Sequence, residues 1–198
     1  TAIKKGGRWW APVNCGATRV AKAGDGSQKT IAGTGYLYQW GRADYINFTS
    51  SPTDGPINNS RPNNHVFYKA PNSPNDWLSP QNNFLWNGNS KGTNDPCPSG
   101  YRVPTLSELQ SIGNATSYDR DLFEVNVGNN FPPLLLPAAG FRWNFDGLSQ
   151  GQGANGRYWS SSVVQGNEAA YYIMFNSTIL GMPTGGRANA FSVRCIKE

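Results

Sequence analysis

At 198 residues, with 37% hydrophobic and 13% aromatic side chains, the chain is long enough to fill a real core, which excludes a disordered linker. Glu and Lys are sparse while Gly (23) and Pro (14) are abundant, so strands, turns and ordered loops are expected rather than a helical bundle. The charge of +5 comes from 17 basic and 12 acidic residues, and apart from Lys4, Lys5 and Arg8 the basic ones stand singly, which argues against nucleic-acid binding. No stretch approaches the roughly 20 apolar residues that span a bilayer. With no leader ahead of Thr1, the chain is expected to begin after processing or as an excised segment. Three cysteines, none in a C-x-x-C pair, allow one bond and leave one thiol over. The sequons at Asn47, Asn58, Asn114 and Asn176 matter only in a eukaryotic secretory route.

Trp9 to Ala17 places two aromatics and an apolar run beside Cys15, reading as an early edge strand that enters a loop, with Cys15 the best candidate for the leftover thiol. Val20 to Gly33 reads as an exposed loop. Tyr36 to Trp40 alternates, with Tyr36, Tyr38 and Trp40 on one side of a strand and Leu37 and Gln39 on the other. Residues 44–94 are rich in Asn, Pro and Ser, yet Phe67, Tyr68, Trp77, Phe84, Leu85 and Trp86 recur along them. A linker would lack those aromatics, so a long inserted loop is expected, pinned at Asp76–Pro80 and Asn83–Trp86.

Thr105 and Glu108 form a capping box that starts a helix, and Leu106, Leu109 and Ile112 share one face of it before Gly113. So short a helix must dock its apolar stripe on something, and Cys97 just upstream offers a covalent tie. Leu122, Phe123, Val125 and Val127 suggest a short strand or turn; Leu134 to Trp143 reads as one central core strand, and Asn144 to Gly156 as a mobile turn. Arg157–Ser162 and Ala169–Phe175 are expected strands, with an open Gly-rich loop from Asn176 to Asn189. In the last strand Phe191, Val193 and Cys195 fall on one side and Ser192 and Arg194 on the other, so Cys195 faces the core.

Gly100-Tyr101-Arg102-Val103-Pro104-Thr105 followed by Glu108 and Leu109 resembles the GxRxPTxxEL segment of C-type-lectin-like domains of the formylglycine-generating-enzyme type. Phe191 to Cys195 is similar to their closing strand. The resemblance is closer to the secreted paralogous domains of Bacteroidetes and Fibrobacter surface proteins, including fimbrillin-like modules. Their motifs occur here in order at Trp10–Ala17, Gly35–Arg42, Asp76–Gly88, Asp95–Thr105, Leu136–Arg142, Tyr158–Ser162 and Ser192–Cys195. The resemblance implies one α+β, C-type-lectin-like domain over residues 1–198, with short antiparallel strands, one or two short helices and the inserted loop at about 44–94. It also implies a Cys97–Cys195 disulfide, with Cys15–Cys97 as the other pairing, and therefore an extracellular or cell-surface setting, secreted or anchored to an outer membrane.

Catalysis is not expected. The single histidine, His65, has no neighbouring carboxylate or cysteine in the sequence to make a metal site. Ser160-Ser161-Ser162 lacks a nucleophile elbow, and strand serines that satisfy backbone groups fit better. Gly24-Asp25-Gly26 and Gly151-Gln152-Gly153 do not lie between a strand and a helix, so they read as turns and not phosphate cradles. The EPN, QPD and WND calcium motifs of sugar-binding relatives are missing, and no cofactor is expected. What remains is a rigid core presenting aromatic, amide and Arg side chains from loops, the chemistry of a recognition surface. The expected contact residues are Trp143, Asn144, Phe145, Asn155, Arg157, Asn176 and Arg187. The function expected is adhesion to an extracellular protein or glycan, with any membrane attachment through an anchor outside this chain. The alternatives are a structural subunit meeting other subunits of a fimbrial or surface assembly, and a receptor domain diversified by a retroelement.

Overall fold

The computed structural model describes residues 1–22, 24–86, 88–113, 128–131, 134–166 and 169–198. The expected element at Leu122–Val127 and the Asn114 sequon lie outside the described residues. In the first half of the chain come β1 (Ile3–Lys5), β2 (Arg8–Trp10), α1 (Ile31–Thr34), β3 (Tyr38–Gln39), β4 (Thr53–Asp54), β5 (Tyr68–Lys69) and β6 (Tyr101–Arg102). There follow α2 (Leu106–Gln110), β7 (Gly128–Phe131), β8 (Leu134–Pro137), β9 (Phe141–Arg142), β10 (Ser149–Gln150), β11 (Gly156–Val163) and β12 (Ala169–Phe175). The chain closes with β13 (Leu180–Gly181), β14 (Thr184–Gly186), β15 (Ala190–Phe191) and β16 (Ile196–Lys197). This is a β-rich α+β arrangement of small sheets with two short helices among the described residues. One sheet runs β1-β2-β16-β6, a second β10-β9-β15-β3, and a third β11-β12-β13 with β14 also on β12. These pairings are antiparallel, as is β7 with β8; β4 and β5 pair in parallel.

The C-terminal segment organises these sheets. Every residue from Arg187 to Ile196 is buried. Phe191, Val193 and Cys195 face a cluster that contains Trp40, Trp77, Trp86 and Trp159, while Ile196 joins Trp10, Leu109, Ile112, Tyr158 and Phe175. The predicted sidedness is therefore correct, but both sides are interior. β15 pairs with β3 and β9, and β16 with β2 and β6, so one extended stretch belongs to two sheets. Arg194 is tolerated inside because Nε donates to Asn14 Oδ1 (3.0 Å), Nη1 to Ala11 O (3.3 Å) and Nη2 to Leu135 O (2.7 Å).

Helix α2 docks on this framework as its capping box predicts: Thr105 Oγ1 accepts from the Glu108 N–H, and Glu108 Oε2 accepts from the Thr105 N–H. Ser162 Oγ accepts the Leu106 N–H, satisfying another orphan donor. The buried face differs from the predicted stripe. Leu109 and Ile112 are interior, but Leu106 is half-buried and Glu108 takes a place inside, because Arg102 grips both its oxygens at 2.8 and 2.7 Å. The helix ends at Ser111, whose Oγ donates to Glu108 O (2.6 Å), before Gly113 is reached. Cys97 and Cys195 form a disulfide across 98 residues, and Cys15 is a free, buried thiol.

Several expected loops and strands are redrawn by long-range hydrogen bonds. The edge strand is β1; β2 lies between β1 and β16. Val20–Gly33 is not an exposed loop throughout, since buried Asp25 accepts from both Arg19 nitrogens (2.6 and 2.9 Å) and from the Lys22 N–H. Leu134–Trp143 is not one strand: Gly140, at φ +74°, turns the chain between β8 and β9 where a Cβ would meet Gln150 O. Asn144–Gly156 contains β10 hydrogen-bonded to β9, and Asn176–Asn189 contains β13 and β14 laid on β12. In the inserted loop Phe67, Trp77 and Trp86 are fully buried, but Phe84 is 81% exposed and pins nothing.

Removing Glu108 leaves Arg102 buried without its partner, so Glu108→Ala lowers stability by about 3 kcal/mol. Burial would raise the Glu108 carboxyl, but the Arg102 hydrogen bonds and the Thr105 N–H outweigh it and hold the carboxyl below the usual range. A carboxyl so depressed stabilises the fold above its unfolded pKa of about 4.3, and the contribution is lost as pH falls through the lower native value. Urea midpoints measured from pH 7 downward should fall below about pH 4 in the wild type and fall less in Glu108→Ala.

Candidate functional site

The β9–β10 hairpin carries the first part of the predicted contact surface. Phe141 pairs with Gln150 and Arg142 with Ser149, and the Gly147 N–H donates to Trp143 O (2.8 Å) to close the turn. Buried Arg142 fastens the hairpin from beneath: Nε donates to Gly147 O (2.7 Å), Nη1 to Asn47 O (2.6 Å) and Ser50 Oγ (2.8 Å), and Nη2 to Ser50 O (2.7 Å). Asn144 points back to the body, its Nδ2 donating to Ala70 O (2.8 Å) and its N–H to Asn189 Oδ1 (2.9 Å). Outward stand half-buried Trp143 and Phe145, the latter 53% exposed, with ring centroids 6.1 Å apart. Trp143 meets Phe141 edge-on at 5.1 Å and donates its indole N–H to Gln150 Oε1 (3.2 Å).

Arg157 joins this surface from β11, opposite Met174 of β12. Its guanidinium carbon lies 3.6 Å from the Phe141 ring centroid, 4.8 Å from Trp143, 5.5 Å from Phe191 and 5.8 Å from Tyr172. Among the described residues it finds no hydrogen-bond acceptor, and Nη1 is enclosed without one. Burial pulls its pKa down, with Tyr172 opposing. Four buried arginines among the described residues are satisfied by the fold, whereas buried Arg187, like half-buried Arg157, keeps nitrogens (Nε and Nη1) without a hydrogen-bond partner. Arg42 is paired with Asp44 and Arg102 with Glu108, while Arg142 and Arg194 fill backbone carbonyls.

Asn155 and Asn176 flank the Gly156–Phe175 pair, one leading into β11 and the other leaving β12. The Asn155 N–H donates to Gly151 O (2.7 Å), while Asn176 Oδ1 accepts from the Thr178 and Ile179 N–H groups (both 2.9 Å), so its carbonyl serves its own turn. Arg187 does not belong to the face. It is 0% exposed, 4.7 Å from the Trp40 ring, with Nη2 donating to Asn83 Oδ1 (2.7 Å) and Nη1 3.7 Å from Asp76 Oδ2. The loop turns inward there because Arg187 O accepts from the Trp40 N–H (3.0 Å) and the Ala188 N–H donates to Asn75 O (2.9 Å). Thus Trp143, Phe145 and Arg157 come together, Asn144 supports them, and Arg187 is structural. Met174 and exposed Leu148 were missed; β12's alternation carried the signal for Met174.

Ser160 Oγ donates to Tyr171 O (2.8 Å) and Ser162 Oγ accepts the Leu106 N–H at the start of α2, as expected of strand serines, but Ser161 Oγ is buried without a partner. His65 is half-buried and stacked on Tyr45 at 4.0 Å. No three His, Cys, Asp or Glu side chains cluster as a metal site requires among the described residues. Comparisons with protein-family models, with curated proteins and with solved structures find no match. The geometry of the face therefore carries the functional reading alone.

Arg157 and Arg194 separate a guanidinium without hydrogen bonds from one on which the interior depends. Arg157→Met gives up no hydrogen bond and keeps the aromatic contacts, so its urea unfolding free energy stays within about 1 kcal/mol of wild type. Arg194→Met strands Asn14 Oδ1, Ala11 O and Leu135 O in the interior and costs about 3 kcal/mol or more.

Proposed function

We propose that this chain is a non-catalytic recognition domain of C-type-lectin-like fold, displayed at a cell surface or secreted, that binds an extracellular protein or glycan through Trp143, Phe145 and Arg157. The observation that carries the reading is the Arg157 guanidinium. It is a cation held between aromatic rings, with no acceptor among the described residues, beside a half-buried Trp and an exposed Phe. A group whose hydrogen-bonding capacity exceeds what its own fold uses is suited to a partner's acceptor, and Trp and Arg are among the side chains that dominate binding energy at interfaces. The support for the fold reading is that the N-terminal β2 pairs with the C-terminal β16 and that a disulfide ties the approach to α2 to the last strand. The disulfide also supports an oxidising compartment. The structural-subunit alternative is disfavoured by β1, which is hydrogen-bonded to β2 of the same chain and so is not a spare strand for a neighbour.

The test is a solid-phase array of extracellular-matrix proteins and glycans, probed with and without calcium by wild type and by the triple variant Trp143→Ala, Phe145→Ala, Arg157→Met. A partner bound by wild type should be bound at least about tenfold more weakly by the variant. Equal binding by both would move the recognition surface elsewhere.

A further inference from the structure

The inserted loop holds a concave surface that shares no residue with the Trp143 face. It is a cleft of about 660 Å³, lined in part by Asn58, Ser60, Gln81, Asn82, Asn83 and Phe84. That volume falls in the range of small-molecule sites, about 300–1,000 Å³, but the chemistry departs from the usual apolar lining. Four of the side chains are carboxamides and one is a hydroxyl; among the described residues none that lines the cleft is charged.

Two of the amides, Gln81 and Asn83, are fixed from beneath by the buried ion pair of Asp76 and Arg187. Asn83 accepts from Arg187 Nη2 through Oδ1 (2.7 Å), which orients its Nδ2 donors away from the guanidinium. Gln81 Nε2 donates to Asp76 Oδ2 (2.9 Å), and the Leu78 N–H donates to Asp76 Oδ1 (3.0 Å), so the carboxylate sets the floor on which the loop rests. Asn82 Oδ1 accepts the Phe84 N–H (2.9 Å), fixing the backbone from which the ring projects. Phe84 gains little from the fold at 81% exposure, yet it stands at the border of this polar cleft. Among the described lining residues an anion meets no cation, and a cation no carboxylate. Oriented amides beside one open aromatic face suit a ligand that is polar on its rim, uncharged, and apolar on one C–H face.

We propose that this cleft binds a neutral saccharide of one or two rings, with Phe84 stacking on a sugar face and the amides of Asn58, Asn82 and Asn83 exchanging hydrogen bonds with its hydroxyls. No metal ion takes part. Arg187 is a positioning residue that acts through Asn83. The hydrogen bonds come from neutral side chains and one ring supplies the stacking, so the affinity is that of a weak site.

Saturation-transfer NMR and calorimetry on the full chain test this, with glucose, galactose, mannose, N-acetylglucosamine and lactose as probes, N-acetylneuraminate as the charged control, and EDTA present throughout. At least one neutral sugar should bind at millimolar concentration and N-acetylneuraminate more weakly. Phe84→Ala should weaken binding about tenfold. Asn83→Asp is the sharper variant: Arg187 Nε and Nη1 lack hydrogen-bond partners, so a carboxylate there completes the guanidinium and holds or raises the melting temperature, while the amide donors and sugar binding are lost. Failure of every neutral sugar to bind, binding that survives both substitutions, or binding that appears only when calcium replaces EDTA would overturn the assignment. Blocked dipeptides bound in preference to every sugar would give the cleft to a peptide and overturn it equally.

Discussion

A single segment, Arg187 to Ile196, has no solvent face, and the rest of the fold depends on that burial. A strand in a small sheet usually has one wet side. Here β15 and β16 are the two ends of one run that passes from one sheet into another, with the tryptophan-rich cluster on one flank and the α2 cluster on the other. Sheets of two to four short strands are marginal alone. Sharing this segment joins them into one core, and the Cys97–Cys195 bond fixes the same crossing covalently by closing a 98-residue span.

That core explains how so much irregular chain can be ordered. The inserted loop has few strands, yet its two tryptophans are interior and their indole N–H groups are satisfied: Trp77 donates to Trp40 O (2.7 Å) and Trp86 to Asn94 O (2.9 Å). Trp40 donates to Ser160 O (3.0 Å) and Trp159 to Tyr38 O (2.8 Å), so each ring adds apolar burial and a directional bond to a distant segment. Backbone held this way can present side chains that the fold does not need. Arg157, Phe145 and Phe84 are such side chains, and the recognition reading rests on that surplus.

The parts legible in the sequence are those where local chemistry decides. The capping box at Thr105 and Glu108, the strands at Arg157–Ser162 and Ala169–Phe175, and the sidedness of Phe191, Val193 and Cys195 depend on period and capping within a few residues. What was not legible depends on distant partners. Glu108 lies inside because of Arg102, which no helical periodicity reveals. Leu134–Trp143 looks like one apolar strand until Gly140 turns it, and the apolar run is interior because Leu134 and Leu136 face α2's cluster whereas Phe141 faces the other. Arg187 sits among glycines, the setting of an exposed loop; its burial comes from Trp40 and Asn83, far away in the chain. Trp143, Phe145 and Arg157 could be chosen from residue type, but that Arg157 lacks an acceptor required coordinates. The same holds for Phe84, which residue type placed in a pin of the inserted loop.

The most direct test of the shared segment is native-state hydrogen exchange at five amides that depend on it or on α2. Ala11 donates to Cys195 O, Cys15 to Val193 O, Ser192 to Arg157 O, Trp159 to Ser192 O and Leu109 to Thr105 O. If the C-terminal segment is the common element of the core, all five exchange only through global opening, with free energies that agree within about 1 kcal/mol. Ala11, Cys15, Ser192 and Trp159 exchanging through a low-energy local opening while Leu109 stays protected would contradict the account.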